Sequence, residues 1–158
     1  MSAPAPAPAP NQAAGPLSKQ RLRVWLKLLR ASRTVEARLR ERLKAEHGST
    51  LPRFDVMAAL ARAPEGLRMS ELSAMLRVSN GNVTGIVERL AAEGLVTRAP
   101  VAGDRRAMQV ALTDAGAARF AEMAAAHEAW VDELLGALDA EDLEDALRLL
   151  SRVREEER

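Results

Sequence analysis

Residues 67–116 read LRMSELSAMLRVSNGNVTGIVERLAAEGLVTRAPVAGDRRAMQVALTDAG, and the fold follows from how this stretch divides. Residues 70–76 (SELSAML) carry Ser70 in an N-cap position, with Leu72, Met75 and Leu76 at helical spacing. Arg77 and Val78 form a tight link to Ser79, which caps a second helix over about 80–93. Val83, Ile86, Val87 and Leu90 step by three and four along it, and Gly94 closes it in a left-handed C′ position. Two short β-branched and apolar runs follow, 95–98 and 109–112. The segment between them, 99–108, holds Pro, Gly and Asp and reads as a long hairpin tip. Two helices across a tight turn, then a hairpin, make a winged helix-turn-helix over 66–113.

The residue types suit nucleic acid. In a helix-turn-helix the second helix enters the major groove, N-terminus first. Here that end offers Ser79, Asn80, Asn82 and Thr84. An Asn amide can pair with adenine, and a Thr can meet a phosphate or a thymine methyl. Gly81 and Gly85 each cost this helix about 1 kcal/mol relative to Ala, which close approach to DNA or to another helix would offset. Arg105 and Arg106 on the hairpin place cations where a phosphate or a narrow minor groove is met, with Asp104 as a brace.

Outward from this module the chain is helical. Residues 51–62 form a helix with Pro52 in its first turn and Phe54, Met57, Ala58, Leu60 and Ala61 facing inward. Residues 18–47 read as one long helix capped by Ser18, with an apolar stripe of Leu22, Trp25, Leu28, Leu29, Val35, Leu39 and Leu43; Gly48 ends it. After the hairpin, Thr113 caps a helix over 114–136 whose stripe runs through Phe120, Met123, His127, Trp130, Leu134 and Leu138. Asp139 and Asp142 form a capping box for a last helix bearing Leu143, Leu147, Leu150 and Val153. Residues 1–17 begin with an Ala-Pro repeat that has nothing to bury and reads as a disordered tail. The expected division is a tail over 1–17, an N-terminal dimerisation helix over 18–50, the DNA-binding module over 51–113, and C-terminal dimerisation helices over 114–158.

Composition narrows the function. With 158 residues, 47% hydrophobic but only 3% aromatic, the apolar mass is Ala, Leu, Val and Met, which favours helix. The fold class is therefore mostly α with a small β-hairpin wing. No cysteine is present, which removes disulfides, thiolate metal sites and a thiol switch. No apolar run approaches the length of a membrane span, and residues 1–16 lack the pattern of a secretory signal, so a cytoplasmic protein is expected. Net charge is only +1 but unevenly spread. Residues 19–47 hold ten Lys/Arg against three acids, and 132–158 hold ten acids against four Arg. Two solvated faces explain this as well as a basic helix packed on acidic ones, within or between subunits. There is no Gly-rich phosphate loop or nucleophile triad, so no enzyme and no cofactor are expected. His47 and His127 alone fall short of a zinc site.

Over about 18–154 the chain resembles the MarR family of bacterial transcription regulators. The resemblance rests on LSAMLRVSNGNVT, the ERLAAEGLVTR junction, and the Asp104-x-Arg106 wing followed by Leu112-Thr113. It implies a homodimer built from interlocked terminal helices, with two wings on a pseudo-palindromic operator, and repression as the default outcome. It assigns Arg106 to the minor groove, Asp104 to bracing it, and Ser79, Asn80, Asn82 and Thr84 to the recognition helix. Many members carry a basic residue where Gly85 stands, so base contact at that position is not implied. The resemblance also implies release by a small aromatic acid or phenol. The NGNVTG stretch is similar to a subgroup controlling aromatic-compound catabolism, which senses acyl-CoA thioesters. Trp25, Arg33, Arg53, Phe54, Met57, Met123 and Trp130 are the candidate effector pocket, although Trp, Phe and Met at helical spacing are more often plain core. The rival to a DNA-binding regulator is a protein-interaction adaptor on the same winged fold.

Overall fold

The computed structural model describes residues 15–76, 80–101 and 103–153. The expected Ala/Pro tail, up to residue 14, lies outside them. In chain order the elements are α1 (Pro16–His47), α2 (Leu51–Ala61), β1 (Leu67–Arg68), α3 (Met69–Leu76) and α4 (Asn80–Ala92). Then follow β2 (Val96–Val101), β3 (Asp104–Leu112), α5 (Asp114–Leu135) and α6 (Ala140–Leu150). The chain is mostly helical with one small antiparallel sheet, and it divides within α1 into a unit ending at Ala37 and a unit from Arg38 onward. No helix among the described residues is long and apolar enough to cross a membrane.

The first unit is helix. Pro16 occupies its first turn, and the Gly15 carbonyl accepts from the amides of Ser18 and Lys19. Ser18 is therefore inside the first turn and not the cap expected of it. Leu22, Trp25 and Leu28 from the expected stripe are exposed, as are Leu17, Val24 and Leu26.

The second unit holds the core. Thr50 caps α2, accepting from the Arg53 amide, with Pro52 in the first turn as expected. Phe54, Val56, Met57, Ala59 and Leu60 are all buried, whereas Ala61 is exposed. The single inward face expected for α2 is thus too narrow. The reason is tertiary: α3, α4, α5 and β3 all pack on this helix. The stripe of α4 is as expected, with Val83, Ile86, Val87 and Leu90 buried beside Leu72 of α3. Helix α3 starts at Met69, so Ser70 is not its cap; the Glu71 carboxylate instead accepts from the Arg68 amide at 2.7 Å.

The sheet has the order β1-β3-β2. Leu67 pairs with Val110 and Arg68 with Gln109, while Val96, Arg98 and Pro100 pair with Leu112, Val110 and Met108. β1 is absent from the sequence reading, and it enters through Gly66 at φ +86, where a Cβ would lie 2.7 Å from the Val110 carbonyl oxygen. The Gln109 side-chain amide holds this approach by donating to the Glu65 carbonyl. The hairpin tip is also shorter than expected. Its strands run on to Val101 and Asp104, past a register shift at Pro100/Val101. Pro100 is tolerated in β2 because β2 is an edge strand, where the N–H of every other residue faces away from the partner strand.

Thr113 caps α5 and Asp139 with Asp142 form the capping box of α6, both as expected. Met123 and Trp130 of α5 are buried. The apolar residues of α6 and its end are not: Leu143, Leu147, Leu149, Leu150 and Val153 are all exposed, Leu147 at 70%.

Candidate nucleic-acid interface

Helix α4 presents two unlike faces. Val83, Ile86, Val87 and Leu90 are driven into the core, and helical spacing turns residues 82, 85, 88 and 89 away from it. Asn82, Glu88 and Arg89 are exposed, and Thr84 is half-buried. Among the described residues, a Cβ built on Gly85 would meet nothing within 4 Å. Packing against a neighbouring helix of this chain therefore does not account for that glycine; it leaves a shallow, side-chain-free stretch in the outward face. Ser79 lies outside the described residues, as do the side chains of Asn80, Asp104, Arg105 and Arg106. The backbone of residues 104–106 belongs to strand β3 and not to a loop.

Three charged residues beside the expected set belong to this surface. Arg98 on β2 reaches Glu88 on α4 at 3.8 Å, tying hairpin to helix, and Arg89 lies seven residues from Asn82, on the same side of α4. The helical period was the available signal for Glu88 and Arg89. None existed for Arg98, whose partner is set by the sheet.

The root of the hairpin is clamped to the end of α4. The Thr113 hydroxyl donates to the Gly94 carbonyl at 2.7 Å and accepts from the Gly116 amide at 3.0 Å. The Thr113 amide donates to the Leu95 carbonyl at 3.1 Å. Gly116 lies so close that a Cβ there would stand 1.9 Å from the Leu95 oxygen. A residue with any side chain would push α5 off the α4–β2 turn.

Two of the seven pocket candidates belong to the first unit and five to the second. Trp25 and Arg33 are exposed on the first unit. In the second unit Met57 and Met123 are fully buried. Phe54 stacks on His127 (centroids 4.6 Å apart, planes at 17°) and meets Phe120 at 5.5 Å; Trp130 meets His47 at 5.9 Å. Burial pushes the His127 imidazole below its ordinary pKa, against a weaker upward pull from Asp55. The Arg53 guanidinium is held bidentately by Glu93, at 2.7 and 2.5 Å, and that hydrogen bonding draws the Glu93 carboxyl below its usual range. A cavity of about 290 Å³ opens between α2, β3 and α5, with Leu60, Leu112, Asp114 and Phe120 in its wall, and one of about 570 Å³ lies between α5 and α6. None of the seven candidates lines either.

Comparison with known proteins places this geometry. A family model described as "MarR family" matches residues 47–107, which run from the end of α1 into β3. The HTH-type transcriptional regulator PecS of Dickeya dadantii (strain 3937) is 31% identical over 102 residues, 63% of this chain; the chain spans 61% of the length of PecS. A MarR family transcriptional regulator from Silicibacter pomeroyi, known as a crystal structure, is 38% identical with a TM-score of 0.73, over 87% of this chain and 94% of that one. A mutant MarR from E. coli, crystallised in complex with operator DNA, is 25% identical with a TM-score of 0.74, over 89% of this chain and all of that one. With the capped helices, the hairpin and nearly the full length of a relative at 38% identity in agreement, the chain belongs to the MarR family of transcriptional regulators.

Proposed function

We propose that this regulator binds operator DNA as a homodimer in the cytoplasm and releases it on binding a small effector. The observation that carries the reading is the outward face of α4, with Asn82, Gly85 and Arg89 uncovered beside the hairpin. A helix with this exposure, attached to a wing, is what a major groove accepts. Ser79, Asn80, Asn82 and Thr84 are assigned to the groove, Arg105 and Arg106 to the backbone and minor groove, and Asp104 to bracing the wing. The E. coli MarR complex with operator DNA supports this assignment through the shared fold.

Dimerisation is supported by the apolar surface left uncovered on the first half of α1 and on α6, far more than scattered surface leucines need. The effector class is a small aromatic acid, a phenol or an aromatic acyl-CoA, and repression is the proposed outcome of DNA binding. The candidate lining remains Trp25, Arg33, Arg53, Phe54, Met57, Met123 and Trp130. Phe54, Met57, Met123 and Trp130 can line an effector only if α2 and α5 part, because these four are buried.

One experiment tests both halves. The protein is titrated onto a duplex from upstream of its own gene in a gel shift, alone and with aromatic acids or their CoA thioesters. Binding is expected, with release by one compound, and Arg106→Ala is expected to lower affinity about tenfold with unchanged folding. Wild-type affinity in that variant would remove the assigned role of the wing.

A further inference from the structure

We infer that Glu93, gripped by Arg53, is a positioning residue that sets the angle at which α4 meets DNA. The inference rests on the proposal that α4 is the recognition helix. Glu93 follows directly on the last turn of α4, and Arg53 stands in the first turn of α2, forty residues away in sequence. The two parallel bonds, 2.7 and 2.5 Å long, fix both distance and plane, as a guanidinium–carboxylate fork does.

Apolar packing does not supply that directionality. Val83, Ile86, Val87 and Leu90 hold α4 in the core through non-directional apolar contacts, which set its depth more than its tilt. The far end of α4 magnifies any change of tilt. From Glu93 back to Asn82 is about 16 Å of helix, so a tilt of about 5° moves Asn82 by about 1.4 Å. Base-edge hydrogen bonds need placement within about 0.5 Å. A pair that stiffens the C-terminal end of α4 therefore governs specific contacts at its N-terminal end.

The pair has an energetic part and a geometric one. The Glu93 side chain is 46% exposed and that of Arg53 19%, so solvent screens one end of a bidentate fork whose other end is mostly covered. Arg53 Nε is buried and has no hydrogen-bond partner among the described residues, so the guanidinium's polar contacts there are concentrated on Glu93. The helix end already has its own closure, with the Leu95 amide donating to the Leu90 carbonyl and Gly94 at φ +73. The fork adds to that closure a fixed direction between α2 and the end of α4.

The test measures affinity for a duplex selected from random sequence by the wild-type protein, and for a scrambled duplex of equal length, across a salt series. Glu93→Gln is expected to weaken the selected duplex about tenfold, leave the scrambled duplex within twofold, and keep the salt slope, because no phosphate contact is lost. Exchanging the charges, Arg53→Glu with Glu93→Arg, is expected to recover most of the selected affinity, and melting temperature checks that each variant is folded. If Glu93→Gln and Glu93→Ala both bind the selected duplex like wild type, the inference is overturned. Equal loss on both duplexes also overturns it, since that marks a general DNA contact. Failure of the wild-type protein to select any duplex would instead remove the DNA-binding reading on which the inference stands.

Discussion

At the residue scale, two glycines in helices give opposite expectations for one substitution. Gly116→Ala drives a methyl group into the Leu95 carbonyl, backbone against backbone, and is expected to cost about 3 kcal/mol, read as a melting temperature lower by about 9 °C. Gly85→Ala meets open space and is expected to stabilise by up to about 1 kcal/mol while weakening DNA binding, because the new methyl projects from the proposed reading face. A Gly85→Ala protein that gains stability and binds DNA unchanged would show that the glycine has no part in approach. His127 carries a pH expectation. Burial lowers its imidazole pKa, with Asp55 pulling weakly the other way and Phe54 stacked on it. Below the ordinary imidazole pKa of about 6.5 the unfolded chain takes up a proton that the folded chain resists, so stability is full above that pH and falls on acidification. Melting temperature should therefore drop as pH falls below about 6.5, and His127→Phe, which keeps the ring stack, should flatten the drop.

At the element scale, Thr113 joins three pieces. Its hydroxyl bridges the Gly94 carbonyl at the end of α4 and the Gly116 amide in the first turn of α5, directly after the last residue of β3. Thr113→Val keeps the shape and removes both bonds. The expected cost is about 1–2 kcal/mol, measured by denaturant unfolding, and Thr113→Ser should recover most of it. A loss below about 0.3 kcal/mol would mean that water replaces the hydroxyl. The strong showing of helix ends in the sequence has the same origin. Thr113, Asp139 and Gly94 were each legible because a cap is decided within three or four residues. Ser18 and Ser70 mislead for the same reason: each is a competent cap, and Pro16 and Glu71 closed the turn first.

At the scale of the whole molecule, apolar residues left uncovered on α6 are expected to meet a second copy. Sedimentation should give twice the chain mass, and Leu147→Glu with Leu150→Glu should give single chains that bind a palindromic duplex weakly, through loss of the linked second site. A wild-type protein sedimenting as single chains would refute the dimer. The sequence by itself determined the helices, the hairpin, their order and the inward stripe of α4, because period and capping are local properties written within a few residues. Only the tertiary structure decided the rest. β1 is two residues long and carries no period of its own; it exists because β3 offers it an edge. Val56 and Ala59 are buried because four elements crowd α2, and the Phe54–His127 stack and the Arg53–Glu93 fork join residues far apart in the chain. Such contacts are chosen by what the packed core brings together, and no local pattern encodes them.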